Sequence, residues 1–339
     1  MKTISSILKR SKIERGNKLN ILCAPTHERF SECLAATGHN FYLFCDPVFK
    51  QPYWDHQYAT LPENIILLDE SLGPYQIPSW LDIDILLAQN RWGQIQLFKE
   101  LQQQYHIPLI FLEHTIPNDC TDEQIRGAAK NRGDINVFLW HYSERAWLAQ
   151  EYENRIIPHG MDHEFWSPNN KSVDQKNQVV FSCVNDWIKR DEFCGWNLYQ
   201  QSISGLPVLI KGKTPGVSVP AKDTNELRKF YRNSRVFLNT SLVSSLPMSL
   251  IEAALCECAC VSTSTCAIPE LFTDGHDCIF ANTPDEINAA CKLLLQDDEL
   301  ATRLGKVARE TVIQKLSVQS FVDKWNDVFY DAVDLVYKG

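Results

Sequence analysis

The chain has 339 residues, 44% of them apolar and 22% charged, which is globular usage with room for about two domains. Its 14 glycines exclude collagen-like and glycine-rich architectures, and its apolar runs are all far shorter than a bilayer span. The formal charge of −9 is uneven: residues 1–20 carry Lys2, Lys9, Arg10, Lys12, Arg15 and Lys18 against Glu14 alone, and a second basic cluster gathers Arg126, Lys130 and Arg132.

The first half alternates short apolar runs with helical segments. Strands are predicted at 20–24, 40–45, 64–68, 83–89, 108–113, 136–140 and 155–158. Helices are predicted at 28–37, 92–105, 122–131 and 143–152. Apolar runs without polar alternation suit strands covered on both faces, and strand–helix alternation predicts a doubly wound α/β domain over residues 1–160. At the first strand-to-helix turn, Pro25-Thr-His-Glu28 places His27 where a helix start faces a ligand.

A polar linker over 162–177 leads into a second series over 161–317. Its strands are predicted at 179–184, 208–211, 235–239, 260–263 and 277–281, and its helices at 188–201, 224–233, 248–256, 284–295 and 299–316. An amphipathic segment, 318–337, closes the chain with Phe321, Trp325, Val328 and Phe329 at helical spacing, and is free to pack back on the first domain. Two such domains imply a cleft, with ligands at the carboxyl ends of the strands.

Several signatures are missing. There is no Gly-x-Gly-x-x-Gly after the first strand, no phosphate-binding Gly-x-x-x-x-Gly-Lys-Ser/Thr loop, no Gly-x-Ser-x-Gly elbow and no His-Glu-x-x-His. The 12 cysteines include no Cys-x-x-Cys pair, and Cys256, Cys258 and Cys260 alternate without partner histidines. Buried reduced thiols are expected, and no metal site. No early apolar stretch marks a secretory signal, so the protein is expected to be cytoplasmic.

Three segments carry a family likeness. Arg155-Ile-Ile-Pro-His-Gly-Met-Asp-His-Glu-Phe-Trp-Ser-Pro168 resembles an inter-domain signature, with His159 where Asn is usual. Ser244-Ser-Leu-Pro-Met-Ser-Leu-Ile-Glu-Ala-Ala-Leu-Cys-Glu-Cys-Ala-Cys-Val-Ser262 resembles a donor-binding helix, and Ile268-Pro-Glu-Leu and Gly275-His-Asp-Cys-Ile-Phe280 continue the match. Ile107-Pro-Leu-Ile-Phe-Leu-Glu-His114 resembles a strand that ends in an active-site histidine. Together they resemble the GT-B fold glycosyltransferases, especially the retaining enzymes of family 4: two Rossmann-like doubly wound domains facing across a cleft.

The resemblance implies transfer of a sugar from a nucleotide diphosphate sugar, a UDP- or GDP-sugar, to an acceptor hydroxyl with retained anomeric configuration. It implies no permanently bound cofactor and no metal, the diphosphate being held by a helix dipole and cations. Met248, Ser249 and Leu250 would start the donor helix, with Glu252 one turn in, accepting from ribose hydroxyls. Ser244, beside Ser245, stands where the family usually has a second Glu, which leaves the donor sugar open. Asn185, Lys189 and Arg190 follow the domain's first strand as candidate phosphate ligands, and Lys211-Gly-Lys-Thr-Pro-Gly216 brings Gly212 and Lys213 to the same edge. His114 is the candidate catalytic residue, with Glu113 turned the other way by strand alternation. His27, Arg126 and Lys130 are acceptor-side candidates, expected to border the same mouth as His114.

Other readings stay open. Thr37-Gly-His-Asn-Phe-Tyr42 and the basic start resemble small phage-encoded glycosyltransferases, whose acceptor would be a hydroxymethylated DNA base. The acidic remainder of the chain opposes general DNA binding. An epimerase or phosphorylase on the same fold would differ in lacking acceptor dependence, and a non-catalytic nucleotide- or sugar-binding descendant would fit Ser244 and the Val184 that replaces a usual Arg.

Overall fold

A computed structural model describes residues 2–24, 26–44, 54–89, 91, 94–169 and 175–338. Pro25, Cys45, Trp92 and Asn170, which the sequence places in elements or turns, lie outside these. The chain divides into two compact units: Met1–Gly160 with Val318–Gly339, and Met161–Ser317.

The first unit runs α1 (Lys2–Arg10), β1 (Asn20–Cys23), α2 (Glu28–Ala35), β2 (Asn40–Leu43), β3 (Ile65–Leu67), a 3-10 helix (Glu70–Gln76), β4 (Ile85–Ala88), α3 (Gln94–Tyr105), β5 (Leu109–Glu113), α4 (Asp122–Ala129), β6 (Ile135–Phe138), α5 (His141–Ala146) and β7 (Asn154–Ile156). Its strands form one sheet in the order β3-β2-β1-β4-β5-β6-β7, every pair parallel. The strand order reverses between β1 and β4, the position where doubly wound sheets open a crevice. Leu22, Leu86, Ala88, Leu109 and Phe111 pack with Ile95 and Phe98 of α3 to fill one face of that sheet.

The second unit runs β8 (Asn177–Cys183), α6 (Asp191–Cys194), α7 (Trp196–Ser202), β9 (Val208–Lys211), α8 (Thr224–Asn233), β10 (Ser234–Asn239), α9 (Met248–Leu255), β11 (Ala259–Ser262), α10 (Ile268–Leu271), β12 (Ile279–Phe280), α11 (Pro284–Gln296) and α12 (Asp298–Lys315). Its sheet has the order β12-β11-β10-β8-β9, again all parallel, and reverses between β8 and β10. The chain then returns to the first unit as α13 (Val318–Tyr337). There Phe321 and Trp325 meet Phe30 edge-on at 5.5 and 6.2 Å, and Phe329 meets His39 at 5.4 Å.

Two departures from the predicted elements have clear causes. The helix predicted at 188–201 is broken into α6 and α7 by Gly195, whose left-handed φ of 66° ends the first piece. A Cβ there would lie 2.1 Å from the Thr240 carbonyl, so only glycine lets the loop after β10 come this close. The strand predicted at 277–281 shrinks to β12 because Asp277 and Asp274 fold the preceding residues into a turn, accepting from the Thr273 and Phe280 amides.

All eleven described cysteines are free thiols. Cys256, Cys258, Cys260, Cys278 and Cys291 are fully buried, and burial raises each thiol, Cys258 to about 11 and Cys291 to about 12. Such thiols stay protonated and unreactive. Exposed Cys120 should therefore take up a soluble thiol reagent first, with these five labelling only on unfolding. Mass spectrometry of the labelled native protein checks this, and early modification of Cys258 or Cys260 would contradict the packing.

Candidate functional site

At the carboxyl edge of the first sheet, three neighbouring strands deliver polar residues. β1 leads to Ala24 and His27, β4 to Gln89, and β5 to His114. Each follows an apolar strand whose residues are all or nearly all buried, so the polar group marks where the chain leaves the core. Gln89, 2% exposed, donates from Nε2 to the Ala24 carbonyl at 3.4 Å, and its Oε1 lies 3.3 Å from His114 Nε2. Phe30 of α2 meets the rings of His114 and His159 edge-on at 4.9 and 5.6 Å. Burial, with the neighbouring His159 and His27 rings, holds His114 well below its ordinary value, and burial takes His159 to about 3. Both rings are neutral at pH 7. His27 is exposed and caps α2, its Nδ1 accepting from the Phe30 amide at 3.4 Å.

Glu113 points away from His114, as alternation along β5 requires. Its carboxylate takes the buried Arg91 guanidinium at 2.7 Å, and its other oxygen accepts from the Thr115 amide at 2.9 Å and the Thr115 hydroxyl at 2.5 Å. Arg91 also stacks over Phe111 and Trp147, at 4.8 and 4.2 Å, and Trp147 Nε1 donates to the Thr115 carbonyl at 2.9 Å. This buried network clamps the turn that carries His114.

The basic cluster follows on α4 and the loop after it. α4 runs back toward the start of β5, where Asp134 accepts from the Leu109 amide at 2.8 Å and Gly133 abuts the Leu109 carbonyl. The carbonyls of Ala128 and Asn131, on either side of Lys130, accept from Arg91 Nη1 at 2.5 and 3.2 Å, and Arg132 lies over the Tyr152 ring at 3.7 Å. Arg126 is exposed one turn earlier on α4. Three of the six N-terminal cations are engaged within the first unit. Lys9 pairs with Asp82, Arg15 with Asp327 and Asp331, and Arg10 is buried over the Tyr337 ring.

At the carboxyl edge of the second sheet, the loops after β8 and β9 are stapled together. Asn185 Oδ1 accepts from the Lys213 amide at 2.7 Å, the Asp186 amide donates to the Lys213 carbonyl at 2.9 Å, and the Thr214 hydroxyl donates to the Val184 carbonyl at 3.1 Å. Gly212 makes this possible with a φ of 118°. Lys189, Arg190 and Lys213 project from these loops, exposed and, among the described residues, without an ion pair. Lys211 instead lies over the Phe230 ring, its Nζ 4.5 Å from the centroid.

The loop after β10 joins the same edge through Thr240, whose hydroxyl donates to the Cys194 carbonyl, and Leu242, whose amide donates to the Phe193 carbonyl. It delivers Ser244, half-buried, and Ser245, buried, to the start of α9. α4, α8, α11 and α12 each begin with a side chain accepting from a first-turn amide, whereas α9 begins at Pro247 with no side-chain cap and no acidic residue in its first turn. The Leu250 amide, expected to be an open donor, bonds the Pro247 carbonyl at 3.1 Å, leaving Met248 and Ser249 as the open amides among the described residues. The other end of α9 is occupied: buried Lys176 donates to the Cys256 and Glu257 carbonyls at 3.2 and 2.7 Å, and Arg309 to that of Leu255. Cations thus compensate the negative end of the helix while its positive end is left for an anion. Glu252 is 1% exposed and accepts from the buried Tyr231 hydroxyl at 3.0 Å.

The comparisons with known proteins agree with this architecture. Residues 200–327 match the family described as "Glycosyl transferase-like". The structure is similar to that of HepE from Anabaena in complex with UDP, with a TM-score of 0.72 and 13% identity over 93% of this chain and 100% of that one. The chain has the GT-B fold. Similar in the same way is the sucrose-phosphate synthase of Thermosynechococcus elongatus, with a TM-score of 0.68 and 14% identity over 93% of this chain and 99% of that one. Among curated proteins, the N-acetyl-alpha-D-glucosaminyl L-malate synthase of Bacillus anthracis is 28% identical over 102 residues, 30% of this chain. The GT-B chain matches only 27% of that relative's length. No described helix of this GT-B protein is long and apolar enough to cross a membrane.

Sequence reasoning missed Gln89, Phe30 and Tyr231. Gln89 had a signal, because a polar residue ends an apolar strand in Leu86-Leu-Ala-Gln89 as His114 does after Leu112-Glu113. Phe30 and Tyr231 had none, since an aromatic residue on a helix reads as core.

Proposed function

We propose that this chain transfers a sugar from a nucleotide diphosphate sugar to an acceptor hydroxyl, with retention of configuration and without a metal. The observation that carries the reading is the uncapped start of α9 at the edge where Lys189, Arg190 and Lys213 stand free of ion pairs. Open amides, the positive end of a helix dipole and exposed cations form a diphosphate receptor, and they stabilise the charge that grows on the leaving group. The second unit is then the donor domain, with Asn185 and Gly212 shaping its phosphate loops, Ser244, Ser245, Met248 and Ser249 near the sugar phosphates, and Glu252 at the ribose. The first unit is the acceptor-side domain, with His114 as its catalytic residue and His27 at the acceptor. HepE, similar in fold, is described in complex with UDP-glucose, which supports a UDP-sugar over a GDP-sugar as donor.

Thermal unfolding with UDP, GDP and ADP and their glucose conjugates tests this. A ligand at a hundred times its Kd should stabilise by about 2.7 kcal/mol. Lys189→Ala and Arg190→Ala should each weaken UDP binding roughly tenfold and reduce its salt dependence, as expected for charge-assisted phosphate contacts. If calorimetry gives both variants the parent's affinity, the diphosphate lies elsewhere. If no nucleotide stabilises the protein, the reading fails.

A further inference from the structure

We propose that Gln89 is a positioning residue that holds His114 as its Nε2–H tautomer, so that the ring offers Nδ1 as a pure hydrogen-bond acceptor to a sugar hydroxyl. The inference rests on the sugar-transfer reading only for the identity of the hydroxyl; the tautomer follows from geometry in the first unit alone.

The two ends of the Gln89 amide are told apart by their partners. One end lies 3.4 Å from the Ala24 carbonyl oxygen, which can only accept, so that end is the NH2 group. The other end, 3.3 Å from His114 Nε2, is therefore the oxygen. A flipped amide would set two oxygens against each other. The side chain is 2% exposed, and the Gln89 backbone amide is itself fixed by Gln94 Oε1 at 3.0 Å, so neither rotation nor water relieves that clash.

An amide oxygen only accepts, hence His114 Nε2 carries the hydrogen. A neutral imidazole has one N–H, and the ring is kept neutral by burial and by the two titratable groups that face it, His159 and His27. Nδ1 then bears a lone pair, and among the described residues nothing donates to it. A bare nitrogen repels phosphate oxygens and accepts from hydroxyls. Beside an anomeric carbon it also favours developing positive charge, because its lone pair is the negative end of the ring dipole. His114 is thus suited to accept from a sugar hydroxyl rather than to hold a phosphate.

Nitrogen-15 NMR of histidine-labelled protein decides the tautomer without any substrate. Parent protein should give His114 as protonated Nε2 and bare Nδ1 at neutral pH. In Gln89→Met the lock is gone, and the ring should show mixed or titrating nitrogens; in Gln89→Glu the Nε2–H should return, with the ring protonating at higher pH. A protonated Nδ1 in the parent, or a parent spectrum in folded Gln89→Met, overturns the proposal. UDP-glucose at saturation, verified by calorimetry, should shift Nδ1 and leave Nε2 in place, and an unmoved Nδ1 overturns the assignment to sugar. Failure of UDP-glucose to bind at all would count against the donor reading above, with the tautomer already decided by the free protein. Gln89→Met should lower kcat about tenfold with KM little changed, the pattern of an interaction made mainly in the transition state.

Discussion

Gly212→Ala is expected to cost the second unit roughly 3 kcal/mol or more, because the new methyl has nowhere to go. At φ 118° a Cβ would sit 2.0 Å from the Val184 carbonyl oxygen and 2.5 Å from its carbon. These are backbone atoms at the end of β8, tied across to β9 by the Val184 amide donating to the Lys211 carbonyl at 3.0 Å. No side-chain rotation relieves the overlap, so either the loops part or the strands do. Gly216→Ala is the control. It lies four residues on with φ 79° and open space around its Cβ, and should cost only the ~1 kcal/mol of a left-handed alanine. Denaturant titration of the two variants separates conformational strain from collision. Equal losses would mean that the two loops are not held as closely as their hydrogen bonds indicate. If the phosphate site is where we propose, Gly212→Ala also loses UDP affinity even under conditions where it remains folded.

Glu252→Ala should be the most damaging single change at the donor site, and for two separable reasons. The carboxylate is buried against the Tyr231 hydroxyl, so truncation leaves that hydroxyl without this partner in the core at a cost of about 1–3 kcal/mol. It also removes the acceptor that we assign to the ribose, a charge-assisted contact worth another 1.5–3 kcal/mol or so of donor affinity. Tyr231→Phe divides the two: it keeps the carboxylate and removes the hydroxyl, so stability should fall by about 1 kcal/mol while UDP binding persists. Melting curves with and without UDP measure both quantities. Glu252→Ala binding UDP like the parent would show that the carboxylate serves the fold alone.

The fold was legible because its signals are local and repeated. Unbroken apolar runs such as Ile85–Ala88 and Val236–Leu238 announced covered parallel strands, and the helices predicted from 122 and from 284 begin where Thr121 and Thr283 close capping boxes. What the sequence could not show depends on contacts between distant segments. The break at Gly195 depends on where Thr240 lies, 45 residues on, and no local pattern reveals it. The Leu250 amide looked open because helix position alone does not say whether the first turn tightens onto Pro247. Gln89 and His114, 25 residues apart, meet only because β4 and β5 are adjacent strands.

The return of α13 to the first unit bears on how the protein is made. Residues 161–317 are contiguous and carry their own core, so that unit can close without any later residue. The first unit cannot: Phe30, His39 and Phe41 wait with exposed faces for Phe321, Trp325 and Phe329, which arrive last. During that interval the earliest-made half of the chain carries an unsealed aromatic surface, and it is there that a nascent-chain chaperone would have most to hold.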